Sequence, residues 1–310
     1  GDTEIRYTFH TFTVGFGFQS PWLGPSYINP MLGSNNAPTY PKFDIGFRKT
    51  KLVIPGLNWY IGDFEARIWI GQLTESDFFD NNDTIDKTLL NGFNISFTPS
   101  FWKNFTIGAT KVCLTKWGNN FWKYINPFYS SNDINGIGED QKASIYATVL
   151  FPSVGFEIYG EIGIDDYAVD PISAMKHTMI YTVGAKKSFN ISDKCKALLI
   201  FEWNDFEMSQ DFQLQWNYMG YYGHHQVKEG YTQKGQMLAG AYSYFGDSQL
   251  LKFQLFFPKS SSAIFIHRHC PDINFAFNKV IGNVASIETQ ENIYAIYRTY
   301  LTIGINQNFY

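Results

Sequence analysis

Apolar and polar residues alternate with a period of two along most of this chain. The stretch GFEIYGEIGIDD (155–166) places its isoleucines on one side of an extended chain and Glu157, Glu161 and Asp165 on the other. The same alternation recurs in further runs, among them 64–70, 93–97, 142–151, 179–187, 250–257 and 293–306. It predicts β-strands with two different faces, whereas helical periodicity does not extend over any useful length.

The alternating runs predict about 14 strands of roughly 9–15 residues each, which is long for a soluble protein. The strands are expected near 3–17, 41–54, 60–73, 88–98, 103–115, 141–151, 154–165, 176–188, 196–204, 210–219, 234–245, 249–257, 263–270 and 291–310. The run at 211–219 has the weakest pattern. Because the chain lacks an internal repeat, a low-complexity linker and a charge block, residues 1–310 are predicted to form one domain.

The chemistry of the two faces favours a transmembrane antiparallel β-barrel over a soluble sandwich. Aromatic residues make up 18% of the chain and charged residues 17%, below the usual share of about a quarter. The polar face carries Tyr, Thr, Asn, Gly and some carboxylates rather than the Lys and Glu of a water-facing sheet. In a barrel the apolar face meets lipid, and closure of the sheet satisfies the backbone hydrogen bonds. Glu157, Glu161 and Asp165 are then expected to point into the lumen.

The lengths of the connections predict an orientation. Bacterial outer-membrane barrels have short periplasmic turns and longer outer loops. With a periplasmic C-terminus, the short links fall on the periplasmic side, at 99–102, 152–153, 189–194 and 258–262. The long links then fall outside, at 18–40, 74–87, 116–140 and 271–290. This assignment keeps a strand at 211–219, and two links contradict it: 220–235 is long but inside, and 246–248 is short but outside.

Composition excludes several classes of protein. No run approaches the roughly 18 apolar residues of a membrane-spanning helix. A net charge of −4, without a Lys/Arg cluster, does not indicate nucleic-acid binding. Cys113, Cys195 and Cys270 are isolated and match neither a disulfide framework nor a zinc site. The first residues, Gly1 and Asp2, suggest a mature or trimmed start from which a secretory leader has been removed.

Histidines and carboxylates raise the question of metal or catalytic chemistry. His267 and His269 share one face of a strand, and His224-His225 form an adjacent pair, but no carboxylate–histidine set with defined spacing accompanies them. We interpret them as polar residues of the lumen or loops, and expect no metal and no cofactor.

A glycosidase pair is also disfavoured. Glu157 and Glu161 lie roughly 13 Å apart along one strand, too far for glycosidase geometry without help from a neighbouring strand. The motifs of serine hydrolases, P-loop proteins and dinucleotide-binding proteins do not occur. The sequence therefore predicts that the chain is not an enzyme.

The segment 114–140 is rich in aromatic residues among Asn and Gly. Its rings are those of Trp117, Phe121, Trp122, Tyr124, Phe128 and Tyr129. Such a loop suits carbohydrate, since rings pack on the apolar faces of sugars while amides and carboxylates bind the hydroxyls. An interfacial aromatic girdle with packing inside the loop is the alternative interpretation.

Four stretches together resemble the Wzi capsule assembly family of bacterial outer-membrane barrels. They are FQSPWLGPSYINPMLGSNNAPTYP (18–41), IGQLTESDFFD (70–80), FPSVGFEIYGEIGIDD (151–166) and HHQVKEGYTQKGQMLAGA (224–241). They occur in the expected order, and the likeness covers nearly the whole chain. Family members begin with more chain before the W-x-G-P segment, including a periplasmic part and early strands. The resemblance therefore implies that the full barrel has more strands, up to about 18.

The resemblance implies a surface lectin in the bacterial outer membrane that attaches or organises capsular polysaccharide or exopolysaccharide. The outer loops at 18–40, 74–87 and 116–140 would supply the contacts. The predicted binding residues are Glu75, Asp77, Asp80, Trp117, Trp122, Tyr124 and Tyr129. Outer-membrane lipid, including lipopolysaccharide, is an expected partner. The barrel assembly machinery is another, because the last strand ends in aromatic Phe309 and Tyr310.

The alternative function is a transport channel or an accessory subunit of an outer-membrane complex. It would use the charged lumen residues Glu157, Glu161, Arg67 and Lys186 for passage of a solute. A barrel hydrolase, the third class, would need a nucleophile and base for which the sequence carries no signature. An open lumen would favour the channel, and a filled lumen would favour the lectin.

Overall fold

A computed structural model describes residues 2–79, 86–118, 126, 139–165, 179–207, 221–224, 227–242, 246–270 and 299–310. The described chain is almost entirely antiparallel β-structure. Its strands are β1 (Thr3–Phe9), β2 (Phe12–Phe18), β3 (Pro41–Ile54), β4 (Trp59–Thr74), β5 (Lys87–Pro99), β6 (Phe105–Lys116), β7 (Glu139–Phe151), β8 (Phe156–Asp165), β9 (Met179–Ser192), β10 (Cys195–Asp205), β11 (Thr232–Gln233), β12 (Gln236–Met237), β13 (Asp247–Phe257), β14 (Ser260–Cys270) and β15 (Tyr300–Phe309). None of the described residues forms a helix long and apolar enough to span a membrane.

Thirteen of these strands form one sheet in the order β1 to β10, then β13, β14 and β15. Every neighbouring pair is antiparallel, and β11 and β12 form a separate small hairpin. The all-β, antiparallel fold predicted from the alternation is therefore confirmed. Within the described chain, β1 and β15 are the two edge strands of the sheet.

The connections separate by length onto two ends of the sheet. At the turn end, neighbouring strands are joined by short links, at 10–11, 55–58, 100–104, 152–155, 193–194 and 258–259. At the loop end the links are longer, at 19–40, 75–86, 117–138, 166–178, 206–246 and 271–299. Because β10 pairs directly with β13, the chain from 206 to 246 leaves and rejoins the sheet at the same end. Of the two exceptions in the predicted orientation, 220–235 thus lies within one long loop-end connection, and 246–248 spans the end of that connection and the start of β13.

The predicted bounds of two strands are wrong. The run 3–17 is a hairpin of β1 and β2, in which His10 adopts a left-handed φ of 53°. Its turn carries no Gly, Pro, Asn or Asp, so the usual sequence signal for a turn is absent. In the run 234–245, the described residues 234–242 form a strand only at Gln236–Met237, because residues 238–240 pack against the chain at 29–34 instead. The weak strand at 210–219 and residues 291–298 lie outside the described residues.

The two faces of the sheet differ as predicted. One face exposes a belt of apolar side chains on nearly every strand, including Ile5, Phe16, Phe43, Ile95, Ile107, Ile145, Ile162, Val183, Phe201, Leu251, Ile264 and Ile303. The opposite face carries buried polar side chains and ion pairs. On that face Glu157 pairs with Lys186 at 2.8 Å, and Asp165 pairs with Lys142 at 3.1 Å.

Two loop-end segments pack against this polar face. We call residues 19–40 the first inner segment and residues 221–242, without 225–226, the second inner segment. They bind each other through the main chain: the Ser34 amide donates to the Leu238 oxygen at 2.8 Å, and the Gly240 amide donates to the Pro30 oxygen at 3.0 Å. Their apolar residues join inward-facing residues of the strands in a buried cluster that includes Met31, Leu32, Tyr222 and Ala239.

The inner segments contact strands spread across most of the sheet. The second segment bonds to β4, β5 and β7, through Lys234 to Thr74, Glu229 to Thr88, and Tyr221 to Ala143. The first segment bonds to β10 and β13, through Ser26 to Glu202 and Tyr27 to Lys252. A sheet whose neighbouring strands follow one another from β4 to β13 can reach the same two segments only if it curves around them. The interior enclosed by the polar face is therefore filled rather than open at the level of these contacts.

Candidate functional site

The loop end brings the ends of β4, β5 and β6 side by side. Just beyond the paired strands, the Glu75 amide donates to the Asp86 oxygen at 2.8 Å. The Trp117 amide donates to the Lys87 oxygen at 3.0 Å. Glu75, Asp77 and Trp117, which the sequence predicts to bind polysaccharide, therefore lie near one another at neighbouring strand ends.

Glu75 is the least accessible of these residues, with 7% of its surface exposed. The second inner segment covers the end of β4 beside it. The Lys234 amide donates to the Thr74 oxygen at 2.8 Å, and the Thr74 amide donates to Gln233 Oε1 at 2.8 Å. Glu75 thus belongs to the packed interior, and a polymer in solution would meet its neighbours first.

Asp77 is exposed, and two aromatic rings stand beside it. Phe78 is 97% exposed and Phe79 43% exposed, in a turn that the Phe79 amide closes onto the Ser76 oxygen at 2.9 Å. Sequence reasoning used this stretch for its carboxylates and missed the two rings. The sequence feature that indicates them is the Phe-Phe pair in a link between two strands, because rings in such a link do not have to pack into the sheet. Exposed apolar rings next to a carboxylate offer both a stacking surface and a hydrogen-bond acceptor.

Trp117 completes this surface at the end of β6, where 40% of it is exposed. The remaining predicted binding residues, Asp80, Trp122, Tyr124 and Tyr129, lie outside the described residues. Among the predicted set, the structure therefore places two accessible side chains, Asp77 and Trp117, at one edge of the loop end.

The paired histidines form an aromatic cluster. The rings of His267 and His269 stack with centroids 6.2 Å apart, and Tyr242 lies edge-on to both, at 4.4 Å and 5.1 Å. His224 Nδ1 accepts a hydrogen bond from the Val227 amide at 3.2 Å, while His225 is outside the described residues. Within the described chain, no group of three His, Cys, Asp or Glu residues is placed to hold a metal ion.

Glu202, a fully buried residue on the inner face of β10, anchors the first inner segment. Its carboxylate accepts hydrogen bonds from the consecutive amides of Tyr27, Ile28 and Asn29, the last two at 3.1 Å. The Ser26 hydroxyl donates to it at 2.7 Å and the Tyr159 hydroxyl at 2.6 Å. Successive amides aimed at one anion form a binding concavity. In this protein the anion in the concavity is the Glu202 carboxylate of strand β10.

Buried tyrosines hold the second inner segment. Burial raises the pKa of Tyr221 and Tyr231 well above the usual value for a phenol. Both side chains therefore keep their protons and act as donors, Tyr221 to the Ala143 oxygen at 3.3 Å and Tyr231 to the Leu32 oxygen at 2.7 Å.

Gly24 is expected to be intolerant of a side chain. Its φ is +83°, and an added Cβ would lie 2.9 Å from Glu161 Oε1 and closer still to Oε2. We expect Gly24→Ala to lower the free energy of unfolding by about 2–4 kcal/mol, from backbone strain and the clash together. Urea unfolding followed by tryptophan fluorescence measures this loss.

Gly56→Ala is the matched control for this prediction. Gly56 has φ of +84° but no atom within 4 Å of an added Cβ, so the control carries the strain without the clash. We expect a loss of only about 1–2 kcal/mol there. Equal losses at both positions would mean that the Glu161 carboxylate moves aside without a measurable cost.

Comparisons with known proteins now identify the family. A model of the capsule assembly protein Wzi family matches residues 2–269. The chain belongs to the Wzi capsule assembly family. Among solved structures, it is similar to Wzi of Escherichia coli, described as an outer membrane protein involved in group 1 capsule assembly and a carbohydrate-binding β-barrel. That likeness has a TM-score of 0.66 at 18% identity, and it covers 87% of this chain and 56% of the other. The comparison with curated proteins gave no match.

The stretches that carry the Wzi resemblance mostly build the filled interior. In the first inner segment, Trp22 Nε1 donates to the Ser26 oxygen at 3.0 Å and the Ser34 hydroxyl donates to the Ala239 oxygen at 2.7 Å. In the second, Gly230 and Gly235 adopt left-handed φ values of 69° and 73°. These motif residues are therefore explained by the conformation of the two segments, whereas the accessible Asp77, Phe78 and Phe79 lie in the stretch 70–80, which also carries the resemblance.

Proposed function

We propose that this chain is an outer-membrane β-barrel that binds capsular polysaccharide or exopolysaccharide at its loop end, without catalysis. The observation that carries the proposal is the exposed surface of Asp77, Phe78, Phe79 and Trp117 above a filled interior. Rings can stack on sugars, and the carboxylate can accept their hydroxyl protons. Membership of the capsule assembly family supports polysaccharide as the ligand class.

The same proposal places the turn end in the periplasm and the loop end outside the cell. The apolar belt of the outer face would contact lipid, with lipopolysaccharide in the outer leaflet. At the turn end, Leu57, Trp59, Phe101, Phe257 and Phe309 are exposed, and in this orientation they would lie near the membrane interface, where aromatic side chains are common. Tyr310 and Phe309, which end the last strand, would be read by the barrel assembly machinery.

A transport channel is the weaker candidate because of how the interior is occupied. Both inner segments are mostly buried and are bonded to the sheet, so a solute would have to displace them. Three of the four lumen residues proposed for passage are also already engaged. Glu157 is paired with Lys186, and Arg67 lies 3.6 Å from an oxygen of Asp44.

The proposal predicts that loop-end variants release polysaccharide while remaining assembled. We expect Trp117→Ala to weaken binding about tenfold, equivalent to about 1.4 kcal/mol. We expect Trp117→Ala combined with Asp77→Asn, and a deletion of 117–130, to weaken it further. The measurement is the ratio of cell-bound to released polysaccharide, together with direct binding of the purified polymer to protein in detergent micelles.

Trp102→Ala is the control, since Trp102 is 45% exposed but lies at the turn end. It should leave binding unchanged. Unchanged retention in the loop-end variants would remove these residues from the site. An open, ion-selective conductance of the unmodified protein in planar bilayers would instead support the channel.

A further inference from the structure

Glu161, on the inner face of β8, is a buried carboxylate without a counter-charge. It is 2% exposed, and neither carboxylate oxygen makes a hydrogen bond to any described residue. Other carboxylates of the inner face have cationic partners: Asp44 with Arg6, Glu157 with Lys186, and Asp165 with Lys142. Glu202 instead accepts a full set of hydrogen bonds. Among the buried inner-face carboxylates that the structure describes, Glu161 is therefore the one whose two oxygens both lack a hydrogen bond.

The surroundings of Glu161 supply oxygen atoms rather than positive charge. Ser144, on the neighbouring strand β7, is also 2% exposed, and its hydroxyl lacks a hydrogen-bond partner of its own. The polar groups close enough to interact with Glu161 include the hydroxyls of Ser144, Tyr146 and Tyr221 and the carboxylate of Glu202. On the side away from the wall, the backbone of Gly24 packs directly against the Glu161 carboxylate.

An ionised Glu161 is unfavourable in this position unless a proton or a bound cation neutralises it. A buried ionised carboxylate without a partner costs several kcal/mol, and a second buried carboxylate nearby adds repulsion. Two buried side chains with unused oxygen atoms, facing the same place, point to a bound ion. Because all the available groups are oxygens and one is a carboxylate, the ion expected is a hard cation.

We propose that Glu161 and Ser144, with the main chain of the first inner segment at Gly24, bind a Ca²⁺ ion inside the barrel. Ca²⁺ suits this site better than Mg²⁺, since Ca²⁺ accepts irregular sets of carboxylate, hydroxyl and main-chain oxygens. Mg²⁺ requires near-ideal octahedral geometry and gives up its water reluctantly. The ion would join the W-x-G-P turn of the first inner segment to the barrel wall, at a second point besides Glu202.

The experiment uses the full chain, purified in detergent and treated with a calcium chelator. Titration with CaCl₂ is followed by calorimetry and by the urea midpoint of unfolding. We expect one Ca²⁺ per chain and a rise in the midpoint when Ca²⁺ is added. Ser144→Ala should weaken Ca²⁺ binding at least about tenfold. Glu161→Gln should abolish both the binding and the rise in midpoint.

Glu157→Gln is the matched control, because Glu157 lies on the same strand and face but is paired with Lys186. It should bind Ca²⁺ as the unmodified protein does. The inference is overturned if the unmodified protein neither binds Ca²⁺ nor gains stability from it, a result that does not depend on any variant folding. It is equally overturned if Glu161→Gln or Ser144→Ala folds and binds Ca²⁺ with unchanged affinity. The outcome is independent of polysaccharide binding.

Discussion

Replacing Glu202 by alanine is expected to lower the free energy of unfolding by more than about 3 kcal/mol, since each buried donor left without an acceptor costs about 1–3 kcal/mol. The substitution leaves three consecutive amides, of Tyr27, Ile28 and Asn29, and two hydroxyls without their common acceptor. The wall around them is buried, so water does not replace the carboxylate without opening the structure.

The loss should be located in the first inner segment. Asn29, which Glu202 positions, also donates through its side-chain amide to Asn204 at 3.1 Å and to Ser248 at 2.9 Å. Release of residues 26–29 therefore also loosens the contacts of the segment with β10 and β13. We expect new protease cleavage within 19–40 in Glu202→Ala, before the sheet itself unfolds.

Two further variants serve as comparisons for Glu202→Ala. Glu202→Gln keeps one acceptor oxygen and should lose less stability than Glu202→Ala. Glu157→Ala removes an inner-face carboxylate near the turn end of β8, whose ion pair with Lys186 is partly exposed, so a change of about 0–1 kcal/mol is expected. Urea unfolding in detergent micelles, with limited proteolysis and mass spectrometry of the fragments, gives both measurements. If Glu202→Ala is no less stable than Glu157→Ala, the first inner segment does not depend on this anchor.

The alternation of the sequence predicts the sheet well because each strand is a local pattern. The isoleucines of β8 face outward and Glu161 faces inward, as their parity requires. The grouping of long links at one end also follows from the sequence, once β10 pairs with β13. The pairing of β10 with β13 was not predicted because part of the second inner segment alternates like a strand. Residues 236–241 show this alternation, but they pack against loop residues instead of joining the sheet.

The filled interior could not be predicted in the same way. Ser26 and Glu202 are far apart in sequence, and parity shows only that Glu202 faces the lumen, not what meets it there. The hairpin at His10 lacks the residues that usually mark a turn, so the left-handed conformation of His10 could not be predicted from the sequence of the turn. In the candidate binding surface, Asp77 and Trp117 could be predicted from the residue types of their loops. The exposure of Phe78 could not, because it depends on the fold.

An arginine in the middle of the apolar belt should be more harmful than the same residue in a turn. Ile264 lies near the middle of β14, is 51% exposed, and is paired with Phe253 and Ile305 on the neighbouring strands. If this face meets lipid, Ile264→Arg places a cation near the bilayer midplane, at a cost of about 2–4 kcal/mol. A face that met water would tolerate the change within about 0.5 kcal/mol.

One pair of variants can therefore show whether lipid or water surrounds the outer face. Leu57→Arg is the control, since Leu57 is 71% exposed in the link between β3 and β4 and should lose about 0–1 kcal/mol near the interface. The free energy of unfolding is measured by urea titration of protein folded into phospholipid vesicles. The difference between the two variants, rather than either value alone, reports the depth of Ile264 in the membrane, because both carry the same side chain. Equal, small losses at both positions would mean that water, and not hydrocarbon, surrounds the apolar belt.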